Sequence, residues 1–253
     1  SYLSQALGLA TQNFVSAATG IAVLFALIRA FVRVKEKGLG SFWVDLTRIV
    51  LYILLPLNLV ISLALVSQGV VQNIKPAEAV QLLEPIAIDA DGEIIEGAVI
   101  DTKKGTVTLD GQPVQDAQIV TDQFVPMGPA ASQIAIKQSG TNGGGYNGVN
   151  SAHPLENPTW FSNLVEMISL LLIPAALCFT FGRNIKDKRQ GRAIFSAMLI
   201  MLIIALSIVA VNEQAGTPQL ANGGSVLMDN INQAGGNMEG KESRFGIVES
   251  STW

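Results

Sequence analysis

The chain has 253 residues, of which 49% are hydrophobic and only 14% charged, with a formal net charge of −4. A charged fraction so far below the roughly 25% of soluble domains argues against an ordinary water-soluble fold and for a membrane-embedded one. The single cysteine, Cys178, excludes an intrachain disulfide and a thiolate metal cluster, and within an apolar stretch it reads as a small packing residue.

Four charge-poor windows are long enough to span a bilayer: Ala6 to Ile28, Ile49 to Val66, Phe161 to Gly182 and Ala193 to Asn212. No basic region precedes the first window and the chain opens at Ser1 without methionine, so a secretory signal is not expected and the sequence reads as an excised piece of a longer protein. Arg29, Arg33, Lys35, Lys37 and Arg48 surround the first short loop, and Arg183, Lys186, Lys188, Arg189 and Arg192 crowd the second. The stretch from Val71 to Trp160 holds four lysines against eleven carboxylates. By the positive-inside rule the two short loops are cytoplasmic, which places both ends of the chain and the long middle stretch outside. Because both loops abut spans, the basic residues suit a bilayer surface better than nucleic acid.

Between about residues 76 and 122 the pattern changes to short alternating runs, Gly97 to Asp101 and Gly105 to Gly111 among them, bounded by turn signals. This predicts a small external β-rich insertion. Its carboxylates could gather cations or simply form a solvated acidic surface. Pro126, Gly128 and Pro129 then suit a helix start, and a short pore-helix candidate runs over about 129–138 into the loop 139–145.

That loop, with Thr141, Asn142, Gly143, Gly144 and Gly145 at its heart, is glycine-dense and uncharged. Glycines accept positive φ, so successive backbone carbonyls can point one way and coordinate a cation such as K+; Thr and Asn add oxygens without fixed charge. The carboxyl end of the short helix would add its partial negative charge. The competing reading is a flexible external linker. Irregular backbone at membrane depth needs protein or water around it, so such a loop must be lined by further segments.

The organisation is then a span, an external segment, a re-entrant helix and loop, and a returning span. The basic turn at residues 33–38 resembles the one at 183–188, which suggests repeats. On this division, residues 1–48 carry the last span of one unit and a cytoplasmic loop, and 49–182 form a complete membrane–pore–membrane unit. Residues 183–253 supply the next loop and span, an external Gly- and Asn-rich stretch over 214–240, and the start of another pore helix near Glu249 to Trp253. The expected fold class is an all-α polytopic membrane protein of such repeats with a small β-rich insertion.

Gly140 to Gly145, continued by Asn150-Ser151-Ala152-His153-Pro154 and Glu156-Asn157-Pro158-Thr159, closely resembles the family of potassium-binding A chains of the Kdp potassium-transporting ATPase. So do Gln12 to Gly20 and Ile173 to Gly182, and the similarity runs from Tyr2 to the tail at Gly240 to Ile247, loosest in the insertion. The resemblance implies a channel-like subunit of the potassium transporter superfamily, with four membrane–pore–membrane units around one filter. This chain would carry one filter strand of the four, beginning after the first and stopping before the third. The family implies K+ as the transported ion, a location in the bacterial plasma (inner) membrane, and partners in a P-type ATPase catalytic chain and two smaller membrane subunits. No Gly-x-x-x-x-Gly-Lys-[Ser/Thr] loop and no phosphorylatable aspartate motif occurs in the sequence, so ATP hydrolysis is expected in a partner and not here.

Within this picture Gly143 matches the family's filter glycine. Asn150, His153, Glu156 and Asn157 form a supporting loop, Glu156 and Asn157 bracing the backbone by hydrogen bonds. His153, the only histidine, could be a proton-sensitive or ligand group but suits loop packing better. Glu166 lies about a turn inside a span, where it either reaches the interface or contacts the ion path. Pro56 and Pro174 are expected to kink their spans or free carbonyls. A different class of function, a membrane-anchored interaction module whose insertion binds a ligand or partner, stays open. A membrane enzyme built on His153 and Glu156 lacks a nucleophile and an oxyanion site.

Overall fold

The computed structural model describes residues 4–33, 38–217, 236–238 and 240–253. Residues 34–37 of the first basic turn and residues 218–235 of the expected external loop therefore lie outside the described residues. In chain order the elements are α1 (Gln5–Val32), α2 (Phe42–Ser67), β1 (Ala77–Ile88), β2 (Val99–Asp101), β3 (Thr106–Leu109), β4 (Gln112–Pro113), β5 (Gln118–Pro126), α3 (Ala130–Ser139), α4 (Trp160–Asn184), α5 (Lys188–Ala215) and α6 (Gly246–Thr252). The four long helices α1, α2, α4 and α5 are each long and apolar enough to cross a membrane. All four extend beyond the apolar windows that announce them, because polar and basic residues at their ends are still helical.

The helical core joins α1, α2 and α4. Ala18, Ile21 and Ala22 of α1 are buried with Ile49 and Leu54 of α2, and Phe14, Phe25, Leu46, Ile173 and Leu177 pack around them. Alanines one turn apart let two helix backbones approach closely, which is where packing between apolar helices gains most. Arg29 meets the Asp45 carboxylate with both terminal nitrogens, one of the two bonds being 2.8 Å. A residue that reads as loop charge in the sequence is thus a helical side chain tying α1 to α2.

Pro56 does not break α2. Its ring has no N–H and crowds the carbonyl a turn earlier, and the preceding residues Val50–Leu54 widen into a π turn that takes up the misfit. Helix α4 likewise continues through Pro174. It starts in a reciprocal cap, the Thr159 hydroxyl accepting from the Ser162 amide at 3.1 Å and the Ser162 hydroxyl accepting from the Thr159 amide at 3.0 Å.

α4 and α5 form a tight helical hairpin. The turn after α4 carries Lys186 at φ 61, the Lys186 amide donating to the Arg183 carbonyl and the Asp187 amide to the Gly182 carbonyl. Asp187 then caps α5 by accepting from the Arg189 amide at 2.9 Å. Gly182 and Gly191 meet backbone to backbone, since a Cβ on Gly191 would stand 2.6 Å from the Cys178 carbonyl oxygen and 3.0 Å from the Gly182 Cα.

Residues 73–128 form a separate compact unit. β1 pairs antiparallel with β5 from Ala77↔Pro126 to Ile88↔Gln118, and β2, β3 and β4 make a second, three-stranded sheet. The expected insertion ended at Asp122, but pairing carries β5 to Pro126, because each further residue finds a partner on β1. The unit closes on itself at its ends: the Asn73 amide donates to the Gly128 carbonyl at 3.0 Å, and the Gly128 amide to the Asn73 side-chain oxygen at 2.9 Å.

Candidate functional site

α3 is short but held at both ends. The Ala131 amide donates to the Val71 carbonyl at 2.9 Å and the Ser132 amide to the Gln72 side-chain oxygen at 3.0 Å, so residues just beyond α2 satisfy the first free N–H groups. Apart from Ser132, every residue of this ten-residue helix is buried, including Gln133, Lys137 and Gln138. The Ser139 hydroxyl donates to the Asn58 side-chain oxygen at 2.7 Å, fixing the carboxyl end of α3 against α2.

The chain leaves α3 through a Schellman turn. The Thr141 amide donates to the Gln138 carbonyl and the Asn142 amide to the Lys137 carbonyl, each at 3.0 Å. The residue at the turn is Thr141, at φ 57, where glycine is usual; a branched side chain in the left-handed region costs about 1–2 kcal/mol. Gly143 follows at φ 78, and the Gly144 amide bonds back to the Asn142 carbonyl at 3.0 Å. Asn142 also reaches α1, donating to the Ser16 hydroxyl at 3.2 Å. Between α1, the Ser139 to Thr141 corner and Ile173 and Pro174 of α4 lies a cavity of about 230 Å³.

Behind the loop stands a buried polar network. The Lys137 ammonium, fully buried, donates to the Ser151 hydroxyl at 2.6 Å and pairs with the equally buried Glu156 carboxylate. The other Glu156 oxygen accepts from the Asn147 backbone amide at 2.5 Å. Gln138 donates to Ser151 at 2.6 Å and to Glu166 at 3.1 Å. A Cβ on Gly145 would fall 2.5 Å from the Lys137 Cδ and 3.1 Å from the Gln133 side-chain oxygen, so the loop lies directly against the lysine stem. Among the described residues, the side-chain oxygens of Gln133, Gln138, Asn142 and Asn150 and one oxygen of Glu166 are buried with no hydrogen-bond partner.

The residues expected to form a filter, Thr141 to Gly145, thus occupy one loop at the carboxyl end of α3. Asn150 joins them, its side-chain oxygen 3.7 Å from where a Cβ on Gly143 would sit. Ser139, assigned to the loop from the sequence, is the last residue of α3. Glu156 braces the loop backbone, but the Asn157 side chain does not follow it: its oxygen accepts from the Ser162 hydroxyl at 2.6 Å and its nitrogen donates to Asn163 at 2.9 Å, both in the first turn of α4. His153 turns its ring to the Leu155 amide, at 3.1 Å, within its own turn. Glu166 reaches no interface; it is fully buried, because Gln138 of α3 comes to it and saves it the climb to water.

Lys137, Gln138 and Ser151 are absent from the expected site. One signal could have found the first of them. Lys137 is the only charged residue between Asp122 and Glu156 and so has a single nearby opposite charge downstream. The tail also reaches this region: Arg244 donates to the Ala152 and Asn157 carbonyls at 3.3 and 3.0 Å, and Trp253 to the Asn163 side chain at 2.9 Å.

The family model of KdpA, the potassium-transporting ATPase A subunit, matches residues 1–253. The chain belongs to this family. Among curated relatives, the potassium-transporting ATPase potassium-binding subunit of Clostridium botulinum (strain Eklund 17B / Type B) is 64% identical over 253 residues, covering 100% of this chain and 39% of the relative. Proteins of the same name from Desulfovibrio desulfuricans and Herpetosiphon aurantiacus are 56% and 53% identical, covering all of this chain and 40% and 39% of their own lengths. The chain thus spans about two fifths of the length of these KdpA relatives.

Proposed function

We propose that this chain supplies one of the filter strands of a potassium-selective, channel-like subunit in an ATP-driven K+ importer. The observation that carries the reading is the left-handed exit of α3 into Thr141 to Gly145, an uncharged loop backed by a buried polar network and flanked by apolar helices. Backbone carbonyls of this loop would replace part of the hydration shell of K+. α3 acts as the pore helix of a membrane–pore–membrane unit spanning residues 49–182, with residues 1–48 and 183–253 belonging to the neighbouring repeats. K+ enters from the outer side and passes toward a partner P-type ATPase chain, which hydrolyses the ATP, in a complex with two smaller membrane subunits in the bacterial inner membrane. The names of the relatives, each a potassium-binding subunit of a potassium-transporting ATPase, support this assignment.

The test is Rb+ uptake by potassium-limited cells carrying the full subunit with Gly143→Asp alongside its ATPase partners. Aspartate at φ 78, beside the Asn150 side chain, distorts the loop and adds a fixed charge. High-affinity uptake should be lost while the complex still assembles; unchanged affinity and unchanged preference for K+ over Na+ would refute a filter here. A second reading, in which the insertion binds an external partner and the spans only anchor it, draws on residues 73–128 forming their own unit. It requires that removing the insertion abolish function.

A further inference from the structure

The geometry points to Lys137 as the positioning residue that sets the shape of the filter loop, acting through Glu156 and not by touching the ion. This inference rests on the filter reading above.

Lys137 touches the loop at three places. Its backbone carbonyl accepts from the Asn142 amide at 3.0 Å, which fixes where the loop begins. Its side-chain stem lies under Gly145, close enough that no Cβ fits between them, which fixes the depth of the middle. Its ammonium holds the Glu156 carboxylate, whose second oxygen takes the Asn147 amide, which fixes the return. One residue, through its backbone, its stem and its partner Glu156, therefore meets the beginning, middle and end of residues 142–147.

The electrostatics require both members. Lys137 and Glu156 pair at zero exposure, and removing either partner would leave the other buried without its counter-charge. Ser151 completes the site by accepting from Lys137 and Gln138 and donating to Glu156 at 3.3 Å. The nearby charged group from another helix is Glu166 of α4, which Gln138 joins to the same serine. On the filter reading the ammonium also stands behind a loop that binds a cation, and Glu156 both neutralises and locates it. Groups that orient ion-binding atoms without touching the ion govern affinity strongly, by about 10- to 100-fold when removed.

The experiment compares Lys137→Met, Glu156→Gln and the double variant in the full subunit, assembled with its ATPase partners, with Gly143→Asp alongside. The readouts are the half-saturating Rb+ concentration, the maximal rate, and inhibition by Na+. Methionine keeps the stem and loses the charge; glutamine keeps an acceptor for Asn147 and loses the pairing. Each single variant that assembles should raise the half-saturating Rb+ concentration by about 10- to 100-fold, keep most of the maximal rate, and let Na+ compete. The double variant removes both buried charges, so it is the readable one if the singles fail to assemble, and its shift should be smaller than the product of the two single shifts. Unchanged affinity and Na+ discrimination in an assembled Lys137→Met or double variant would overturn the inference, as would failure of all three to assemble, which would mark the pair as structural only. If Gly143→Asp is also without effect, the filter reading itself falls; if Gly143→Asp abolishes uptake and the pair variants do not change it, only the role of Lys137 falls.

Discussion

Two neighbouring glycines in the loop should respond very differently to the same methyl group. Neither Gly144 nor Gly145 has a left-handed backbone, so alanine is tolerated by conformation at both, and any difference arises from contacts. At Gly144 nothing among the described residues lies within 4 Å of the added Cβ, whereas at Gly145 the Cβ would meet the Lys137 Cδ at 2.5 Å. Non-bonded carbons rest about 3.5–4.0 Å apart, so about 1 Å must open. Lys137 cannot swing aside, because its ammonium is held by Glu156 and Ser151 and its surroundings are filled. The Gln133 side-chain oxygen, at 3.1 Å, crowds the same Cβ. Overpacking of this kind costs about 1–3 kcal/mol, which at about 1.4 kcal/mol per decade is about a 5- to 150-fold change in an equilibrium. The assay is the half-saturating Rb+ concentration of the assembled complex with Gly144→Ala or Gly145→Ala, alongside its thermal unfolding midpoint. Gly145→Ala should weaken binding or stability by that factor and Gly144→Ala should leave both nearly unchanged. Equal damage from the two, or none from Gly145→Ala, would refute the reasoning.

Thr141→Gly relieves a left-handed branched residue but gains chain entropy when unfolded, so the net should be a small stabilisation of up to about 1 kcal/mol, read as a slightly higher unfolding midpoint. Gly191→Val drives a side chain into the Cys178 carbonyl and the Gly182 backbone, and should lower the midpoint by the equivalent of about 1–3 kcal/mol. Replacing residues 74–127 by a short glycine linker should leave Rb+ affinity and selectivity intact, since Asn73 and Gly128 already meet; lost uptake in an assembled complex would favour the interaction-module reading.

The long helices were legible because burial in lipid demands an uninterrupted apolar run, and such runs stand out in a chain with little charge. Helix α3 was legible for a different reason: Pro129 marks its start and the glycines its end, giving bounds within one residue of those observed. The loop's glycines were equally plain. What escaped was the scaffold behind the loop. Nothing local in Ile134-Ala135-Ile136-Lys137 tells that the lysine is enclosed, since its partner Glu156 is 19 residues away and meets it only through the fold. Asn157 keeps a backbone bond to the His153 carbonyl, but its side chain turns to α4 while that of Glu156 braces the loop, because successive residues at a helix approach face different ways. Of the two readings of Glu166, the one that takes it to the interface fails, because Gln138 of α3 packs over the carboxylate and donates to one of its oxygens inside the protein. The extent of the insertion was underestimated at its end because Gln123 to Pro126 carry no alternation of their own and owe their strand to β1.

The backbone contact of Gly182 with Gly191 bears on how the molecule is made. The two residues are nine positions apart, so their meeting closes a very small loop and needs no other part of the chain. Contacts of such short range form early and quickly. During synthesis α4 and α5 can therefore join as soon as both have entered the bilayer, before α6 and the tail exist. Those later residues then find a finished two-helix surface on which Trp253 can reach Asn163 and Lys241 can pair with Glu213, so the order of assembly follows the order of translation.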